Sequence, residues 1–165
     1  MKNYHKSFSP LCLGISSLVA VGGITAIAGI SIASDNRNLG VQIVAAGTPL
    51  AQELQGKPVV VEISADWCSG CKAIAPTISA LKKQYQNKAT FVVFNVTDKA
   101  TTQASEAQAK KLGLASFFAA NKSQTATVAI LDPSNGQVLK QFQKTTNQKD
   151  YQTVIDSAIA RLQKK

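Results

Sequence analysis

The chain has 165 residues and a formal net charge of +9, and 45% of its residues are hydrophobic. This length allows one domain of ordinary size, and the apolar fraction suffices for a folded core, which excludes wholesale disorder. The lysines stand singly or in pairs without interleaved aromatic residues, a pattern that favours a solvated basic surface over a nucleic-acid site. One His and three Cys exclude most multi-ligand metal sites.

The first forty residues predict a membrane segment. Lys2 and Lys6 precede an uncharged run from Leu11 to Ala33, which is 23 residues long. A cleaved signal has an apolar stretch of roughly 7–15 residues, whereas spanning a bilayer takes about 20. We therefore expect residues 1–33 to be a retained hydrophobic anchor helix. A cleaved signal is the alternative, because Ala26-Ile27-Ala28 has the form of a cleavage site.

Charge also predicts the orientation of this segment. Lys2 and Lys6 lie before the apolar run and only Arg37 closely follows it, so the positive-inside rule places the amino terminus in the cytoplasm. Everything after residue 34 is then expected on the exported side of the membrane. We interpret residues 34–47 as a linker, in which residues 41–44 could form a short edge strand, and residues 48–165 as the folded domain.

The sequence of the folded domain predicts alternating strands and helices. Thr48-Pro49 can cap and open a short helix that runs to Gln55. The elements that follow are a buried strand (Val59–Ile63), a helix from about Ser69 to Gln86, a second buried strand (Phe91–Val96), a weaker helix (Thr102–Leu112), a hairpin of two strands (Thr127–Leu131 and Val138–Phe142) and a last helix capped by Asn147. This order predicts a mixed central sheet with helices on both faces.

The pair Cys68 and Cys71 follows a buried strand and begins a helix. Two intervening residues let both sulfurs meet within one turn, and the helix start lowers the pKa of the first thiol. The second cysteine lies nearly one turn inside the helix, where it can attack a mixed disulfide formed by the first. A zinc half-site or a purely structural disulfide would use the same spacing, but the former lacks a second ligand pair and the latter closes too short a loop to stabilise much.

The stretch Val59-Val60-Val61-Glu62-Ile63-Ser64-Ala65-Asp66-Trp67-Cys68-Ser69-Gly70-Cys71-Lys72, with Pro76 further along the helix, resembles the thioredoxin family. Residues 71–79 are similar to tethered thioredoxin-like proteins of bacterial periplasms and photosynthetic membranes. The resemblance implies an α/β thioredoxin-like fold and thiol–disulfide exchange with protein substrates on the exported side, in the periplasm or the thylakoid lumen. It also implies a membrane thiol donor that re-reduces the pair, and it requires no cofactor besides the dithiol.

Within this resemblance, Cys68 matches the family's attacking cysteine and Cys71 the resolving one. Trp67 matches the tryptophan that packs beside the disulfide. Glu62 is the single charge in an otherwise apolar strand, so burial should raise its pKa unless a partner compensates. Since the family usually has Asp there, Glu62 is our candidate for exchanging the proton of Cys71. A strand-end glutamate that reaches solvent is the alternative, and Asp66 is interpreted as a surface residue.

Two features depart from the family pattern. Ser69-Gly70 stands between the cysteines, where strong reductants of the family normally have Gly-Pro. The alignment also puts Ala126 where the family has a proline in cis, so Thr125 and Ala126 are the candidate substrate-binding residues together with Trp67. A cis bond before alanine costs about 2.5–4 kcal/mol, so we expect a trans Thr125–Ala126 peptide and a more open groove beside Cys68.

The sequence as a whole favours a membrane-tethered thioredoxin-like oxidoreductase with Cys68, Cys71 and Glu62 as candidate catalytic residues. Two hypotheses from other classes stay open. One is a thioredoxin-fold binding or assembly protein whose dithiol does not cycle, which the altered docking loop would favour. The other is a metal carrier that uses the two cysteines with ligands from a partner.

Overall fold

The computed structural model describes residues 47–164, which form a sheet and four α-helices. After a short 3-10 helix (Gln52–Leu54), the elements are β1 (Val59–Ser64), α1 (Ser69–Gln84), β2 (Thr90–Asn95), α2 (Lys99–Leu112), α3 (Ala115–Asn121), β3 (Thr127–Asp132), β4 (Gln137–Gln143) and α4 (Gln148–Leu162). The predicted α/β class is confirmed. Every predicted strand of the folded domain is present to within one residue at each end.

The four described strands form one mixed sheet in the order β2-β1-β3-β4. β1 pairs in parallel with β2, so that Glu62 lies opposite Val93, and antiparallel with β3, where Glu62 lies opposite Val128. β3 and β4 form the predicted antiparallel hairpin. The central position of β1 explains its apolar sequence, because this strand is covered on both faces.

Helices cover the two faces of the sheet in pairs. Because successive side chains of a strand point to opposite faces, Val59, Val61 and Ile63 face one side and Val60 and Glu62 the other. The first side packs against buried residues of α2 and α3 such as Leu112 and Phe118. The second packs against α1 and α4 through residues that include Ile74, Ile78, Tyr151 and Ile155. Glu62 therefore faces the helix that carries the two cysteines.

The predicted short helix at Thr48–Gln55 is wrong in its extent. Only Gln52–Leu54 is helical, as a 3-10 turn without a side-chain cap. The preceding amides are used elsewhere, because Leu50 N–H donates to Pro133 O and Ala51 N–H donates to Leu112 O. These bonds tie the segment to the rest of the domain. Ala51 has an extended backbone, with φ −52° and ψ 150°, so the helical turn begins only at Gln52.

Helix α3 has no counterpart among the predicted elements. It has seven residues, and Leu114 at its N-cap makes no side-chain cap bond, so the sequence lacks a start signal there. Helix α2 also begins three residues earlier than predicted. Asp98 and Thr101 form a capping box in which the Asp98 carboxylate accepts from Thr101 N–H and the Thr101 hydroxyl accepts from Asp98 N–H.

Two of the predicted end signals are present in the structure. Asn147 caps α4, and its carboxamide oxygen accepts from Lys149 N–H. The hairpin turn is closed by Asp132, whose carboxylate accepts from the Ser134 amide, and by Gly136 in a left-handed conformation. The expected anchor at 1–33 and the possible strand at 41–44 lie outside the described residues. No helix between residues 47 and 164 is long and apolar enough to cross a membrane.

Candidate active site

Cys68 is the N-cap residue of α1, and its sulfur lies directly over the first turn of that helix. The sulfur accepts a hydrogen bond from the Cys71 backbone amide at 3.0 Å. An N-cap acceptor satisfies one of the amides that a helix start leaves unpaired. In Cys68 that acceptor is the sulfur itself, so the positive end of the helix acts on the atom that would react.

The surroundings of Cys68 favour its thiolate. Burial alone would raise the pKa of the thiol, but hydrogen bonds with the Cys71 thiol, the Thr125 hydroxyl and the amides of Cys71 and Gly70 together hold this pKa below its usual value. A lower pKa increases the thiolate fraction, and the thiolate is the nucleophile in disulfide exchange. Cys68 is 5% exposed, so a substrate has to be brought to this sulfur in a defined orientation.

Cys71 has the opposite tendency. Burial and the hydrogen bond with Cys68 raise the pKa of its thiol, with smaller opposing effects from the Ala65 backbone and the Ser64 hydroxyl. Both cysteines are free thiols in this structure. One sulfur is therefore prepared as a thiolate while its neighbour keeps its proton. This asymmetry is what a pair that attacks with one cysteine and resolves with the other requires.

Glu62 is 9% exposed and lies on the face of β1 that packs under α1. Burial raises the pKa of its carboxyl group, while the positive charge of Lys82 and a hydrogen bond with Ser64 oppose the increase. The expected burial of Glu62 in the strand is thus confirmed. A crevice of about 360 Å³ joins it to the reacting pair, because Glu62, Ser64 and Cys71 all line that space.

Ser64 is a residue that sequence reasoning missed. It follows Glu62 by two positions on β1, so both side chains lie on the same face of the strand. Interaction with its hydroxyl lowers the pKa of both the Glu62 carboxyl group and the Cys71 thiol. The spacing of two residues along the strand could have predicted that Ser64 lies beside Glu62. Ser64 is placed to connect the Glu62 carboxyl group with the Cys71 thiol. Asp66 is exposed at the mouth of the same crevice, as predicted.

Trp67 presents its ring to solvent beside Cys68. The side chain is 63% exposed, yet its indole Nε1–H donates to the backbone carbonyl of Thr97 at 2.9 Å. The Thr97 hydroxyl also accepts from the Asp66 amide at 2.9 Å and itself donates to Asn95. Thr97 lies between β2 and α2, so its role in fixing the tryptophan depends on a contact across 30 residues that no local pattern indicates.

The Thr125–Ala126 peptide is trans, since the described residues contain no cis bond, and this prediction is confirmed. Ala126 instead has φ +60°, in the left-handed region. Its amide donates to Ile63 O and its carbonyl accepts from Lys144 N–H, each at 2.9 Å, so it continues the sheet on both sides. Its side chain is fully buried, whereas that of Thr125 before it is half-buried. The more open groove stays a prediction.

The structure thus brings the cysteine pair, Glu62 and Thr125 into one site and keeps Trp67 at its rim. In the part of the chain that is described, no group of three or more His, Cys, Asp or Glu residues could hold a metal ion. The chemistry available to these side chains is acid–base and thiol chemistry.

Comparison with known proteins gives a consistent result. The thioredoxin family model matches residues 43–157. The chain is 37% identical over 81 residues to the chloroplastic thioredoxin-like protein HCF164 of Arabidopsis thaliana, a match that covers 46% of this chain and 31% of the relative. It is 35% identical over 85 residues to the thiol:disulfide interchange protein TxlA homolog of Synechocystis, with 49% and 47% covered.

Among solved structures, a DsbF homologue from Corynebacterium diphtheriae aligns with a TM-score of 0.48 at 21% identity, covering 64% of this chain and 74% of that one. The chain spans less than half the length of the two curated relatives that it matches.

Proposed function

Because this chain belongs to the thioredoxin family, we propose that it is a thiol–disulfide oxidoreductase acting on disulfides of proteins through Cys68 and Cys71. The observation that carries the proposal is the asymmetry of the pair. The pKa of Cys68 is lowered at a helix N-terminus and that of Cys71 is raised beside it. A structural disulfide would need no such difference. The relative named thiol:disulfide interchange protein supports the same activity.

In the first step, the Cys68 thiolate attacks one sulfur of a substrate disulfide. A bond forms between Cys68 and that sulfur, the substrate S–S bond breaks, and the other substrate sulfur leaves as a thiolate. The hydrogen bonds from Thr125 and from the amides of Gly70 and Cys71 stabilise Cys68 before the attack. Exposed Trp67 provides a flat apolar surface beside the reacting sulfur for the substrate chain.

In the second step, Cys71 gives up its proton and attacks Cys68. The mixed disulfide breaks, the second substrate sulfur leaves as a thiolate, and the protein holds a Cys68–Cys71 disulfide after losing two electrons to the substrate. Glu62 accepts the proton of Cys71, directly or through the Ser64 hydroxyl, since all three line one crevice. A carboxyl group with a raised pKa can both take and return a proton near neutrality.

The test is equilibration of the protein with glutathione buffers of increasing oxidised fraction. We expect Cys68 and Cys71 to convert reversibly between dithiol and disulfide, with a mass loss of two hydrogens, and the midpoint to give the potential of the couple. A protein whose cysteines stay as thiols in every buffer would contradict the proposal and favour a thioredoxin-fold binding protein with a non-cycling dithiol. The double variant with serine at both positions is the control.

We further propose that the chain is tethered through residues 11–33, with the folded domain on the exported side of the membrane and a membrane thiol protein as its electron donor. The charge pattern around the apolar run supports this arrangement, with Lys2 and Lys6 before it. The test is protease added outside the cytoplasm to intact membranes. Digestion of the domain with retention of residues 1–33 is expected, whereas a soluble form beginning near Gly29 would contradict the anchor.

A further inference from the structure

Two residues other than glycine adopt left-handed backbone conformations in the described part of the chain. They are Ala126, with φ +60°, and Lys144, with φ +54°. The Lys144 amide donates to the Ala126 carbonyl at 2.9 Å, so the two unfavourable conformations are next to each other. This conformation is unfavourable for residues other than glycine. Such strain is concentrated where the surrounding structure requires it, and here both residues lie beside the cysteine pair.

The side chain of Lys144 packs on the residue between the cysteines. A Cβ placed on Gly70 would lie 3.1 Å from Lys144 Cγ, 3.4 Å from its Cε and 3.1 Å from Ala126 Cβ. The glycine thus allows the lysine stem to lie against the first turn of α1. Gly70 is the second residue after Cys68, and its backbone amide helps to lower the pKa of that thiol, so the stem packs against the turn that begins at the nucleophilic cysteine.

The charge at the end of this stem is available to a ligand. Lys144 is exposed, and the ion pair found among the described side chains joins Lys110 to Glu106, so no carboxylate within residues 47–164 pairs with Lys144. Packing of the stem on Gly70 and the bonded backbone restrict where the ammonium can go, which reduces the entropy that it loses on pairing. Asp66 is an exposed carboxylate near the two cysteines, but it lies along the crevice with Lys72 and Glu62 and forms no ion pair with Lys144.

From this geometry we propose that Lys144 is a specificity-determining residue, which favours disulfide substrates that carry an aspartate or glutamate next to the reacting cysteine. The proposal rests on the thiol–disulfide exchange proposed above and names the substrate class for the same site. A carboxylate on a substrate docked beside Gly70 forms an ion pair with the Lys144 ammonium. An exposed pair of this kind changes kcat/KM by up to about fivefold.

The test uses the reduced full-length protein and three synthetic peptides with the same intramolecular disulfide, whose flanking residues are acidic, neutral or basic. In low salt, wild-type protein should reduce the acidic peptide about fivefold faster than the neutral one in kcat/KM. Lys144→Gln keeps a polar stem without the charge and should lose about threefold on the acidic peptide alone. Lys144→Glu should invert the order of the acidic and basic peptides.

Because the whole chain carries +9, a general attraction for acidic peptides has to be separated from the local one. Lys140→Gln is the matched control, since Lys140 is an exposed lysine of β4, four residues before Lys144, which directly follows that strand. It should leave the preference unchanged. Equal losses in Lys140→Gln and Lys144→Gln would assign the preference to net charge and overturn the role of Lys144.

The neutral peptide separates this inference from the proposed function. If wild-type protein reduces none of the peptides, the oxidoreductase activity itself is contradicted, and the role of Lys144 with it. If all three peptides are reduced at one rate by wild type and by Lys144→Gln, the activity stands and the role of Lys144 is overturned. Raising the salt to about 0.5 M should also abolish the preference, because it shortens the range of the charge to a few ångströms.

Discussion

The backbone amide of Cys71 donates a hydrogen bond to the sulfur of Cys68 over 3.0 Å. The two cysteines are therefore linked before any reaction, and the link is directional. The bond favours negative charge on Cys68, together with the Cys71 and Thr125 side chains. Burial and the side-chain bond with Cys68 keep the proton on Cys71. The order of the two steps follows from this difference, because the sulfur with the lowered pKa becomes the nucleophile.

Replacing each cysteine separately should reveal this order. In Cys71→Ser, Cys68 still attacks but nothing resolves the product, so mixed disulfides with substrate should accumulate. In Cys68→Ser they should be absent, because the remaining thiol has a raised pKa and so little thiolate. Intact mass under non-reducing conditions measures both species. Equal trapping by the two variants would show that the assigned roles are wrong.

Replacing Glu62 by glutamine should slow exchange near neutral pH by about ten- to a hundredfold, at and below the lower end of the range for general acid–base groups. The amide cannot take the proton of Cys71, so the loss should fall on resolution of the mixed disulfide. Rapid-mixing kinetics of both steps measures this. Glu62→Asp should retain most of the rate, and exposed Glu53→Gln is the control. An unchanged rate in Glu62→Gln would show that Glu62 has only a structural role.

The same substitution should stabilise the fold at neutral pH. Burial raises the pKa of the Glu62 carboxyl group in the folded state above its ordinary value of 4.5. Below pH 4.5 the carboxyl group is protonated in both the folded and the unfolded state, so its ionisation does not change the free energy of unfolding. As the pH rises past this value, the unfolded chain ionises first, so stability falls until the folded-state pKa is passed. Denaturant unfolding should therefore show a gain for Glu62→Gln at pH 7 that disappears at pH 4, and a gain at both would contradict the assignment.

Removing the hydroxyl of Ser64 should affect the proton path between Glu62 and Cys71 while both cysteines are kept. Ser64→Ala deletes a hydrogen bond that lowers the pKa of Glu62, so the pH dependence of the resolution rate should shift upward. Loss of about one hydrogen bond corresponds to roughly a fivefold lower rate. Ser79→Ala, on the exposed side of α1, is the control. A rate lowered equally at every pH would indicate a structural effect only.

Proline at position 126 should destabilise this protein, although the family normally has proline there. The Ala126 amide donates to Ile63, and its φ of +60° is outside the range that proline adopts. Ala126→Pro should lower the free energy of unfolding by about 2 kcal/mol or more through the lost hydrogen bond and the altered backbone. Ala126→Gly keeps the amide and should differ little. Thermal unfolding compares them, and a Tm for the proline variant at or above wild type would contradict this prediction.

The sequence predicted the parts of the fold that local patterns encode. The apolar run of β1, the helical spacing that begins at Ser69, the hairpin turn and the Asn147 cap each combine a periodic pattern with an end signal. Helix α3 has neither, since it is short and begins at an uncapped Leu114. The helix predicted before β1 was wrong for another reason, because Ala51 has an extended backbone in a segment that bonds to residues far away along the chain.

The candidate site divides in the same way. Cys68, Cys71 and Glu62 were identified because their chemistry stands out from an apolar or helical background. Thr97 and Lys144 reach the site from loops and strand ends that are distant in sequence, so their roles depend on the tertiary fold. The left-handed backbone at Lys144 is also invisible to pattern reasoning, because that conformation is normally associated with glycine.

The position of Trp67 has a consequence for how this protein can be observed. It is the one tryptophan of the chain and directly precedes Cys68. Its indole is held in place by the hydrogen bond to the Thr97 carbonyl. The intrinsic tryptophan fluorescence of the protein therefore arises entirely at the reaction centre, from a ring that is largely in water. Emission intensity and wavelength should follow oxidation, mixed-disulfide formation and peptide docking in real time, which makes each redox step visible without a label.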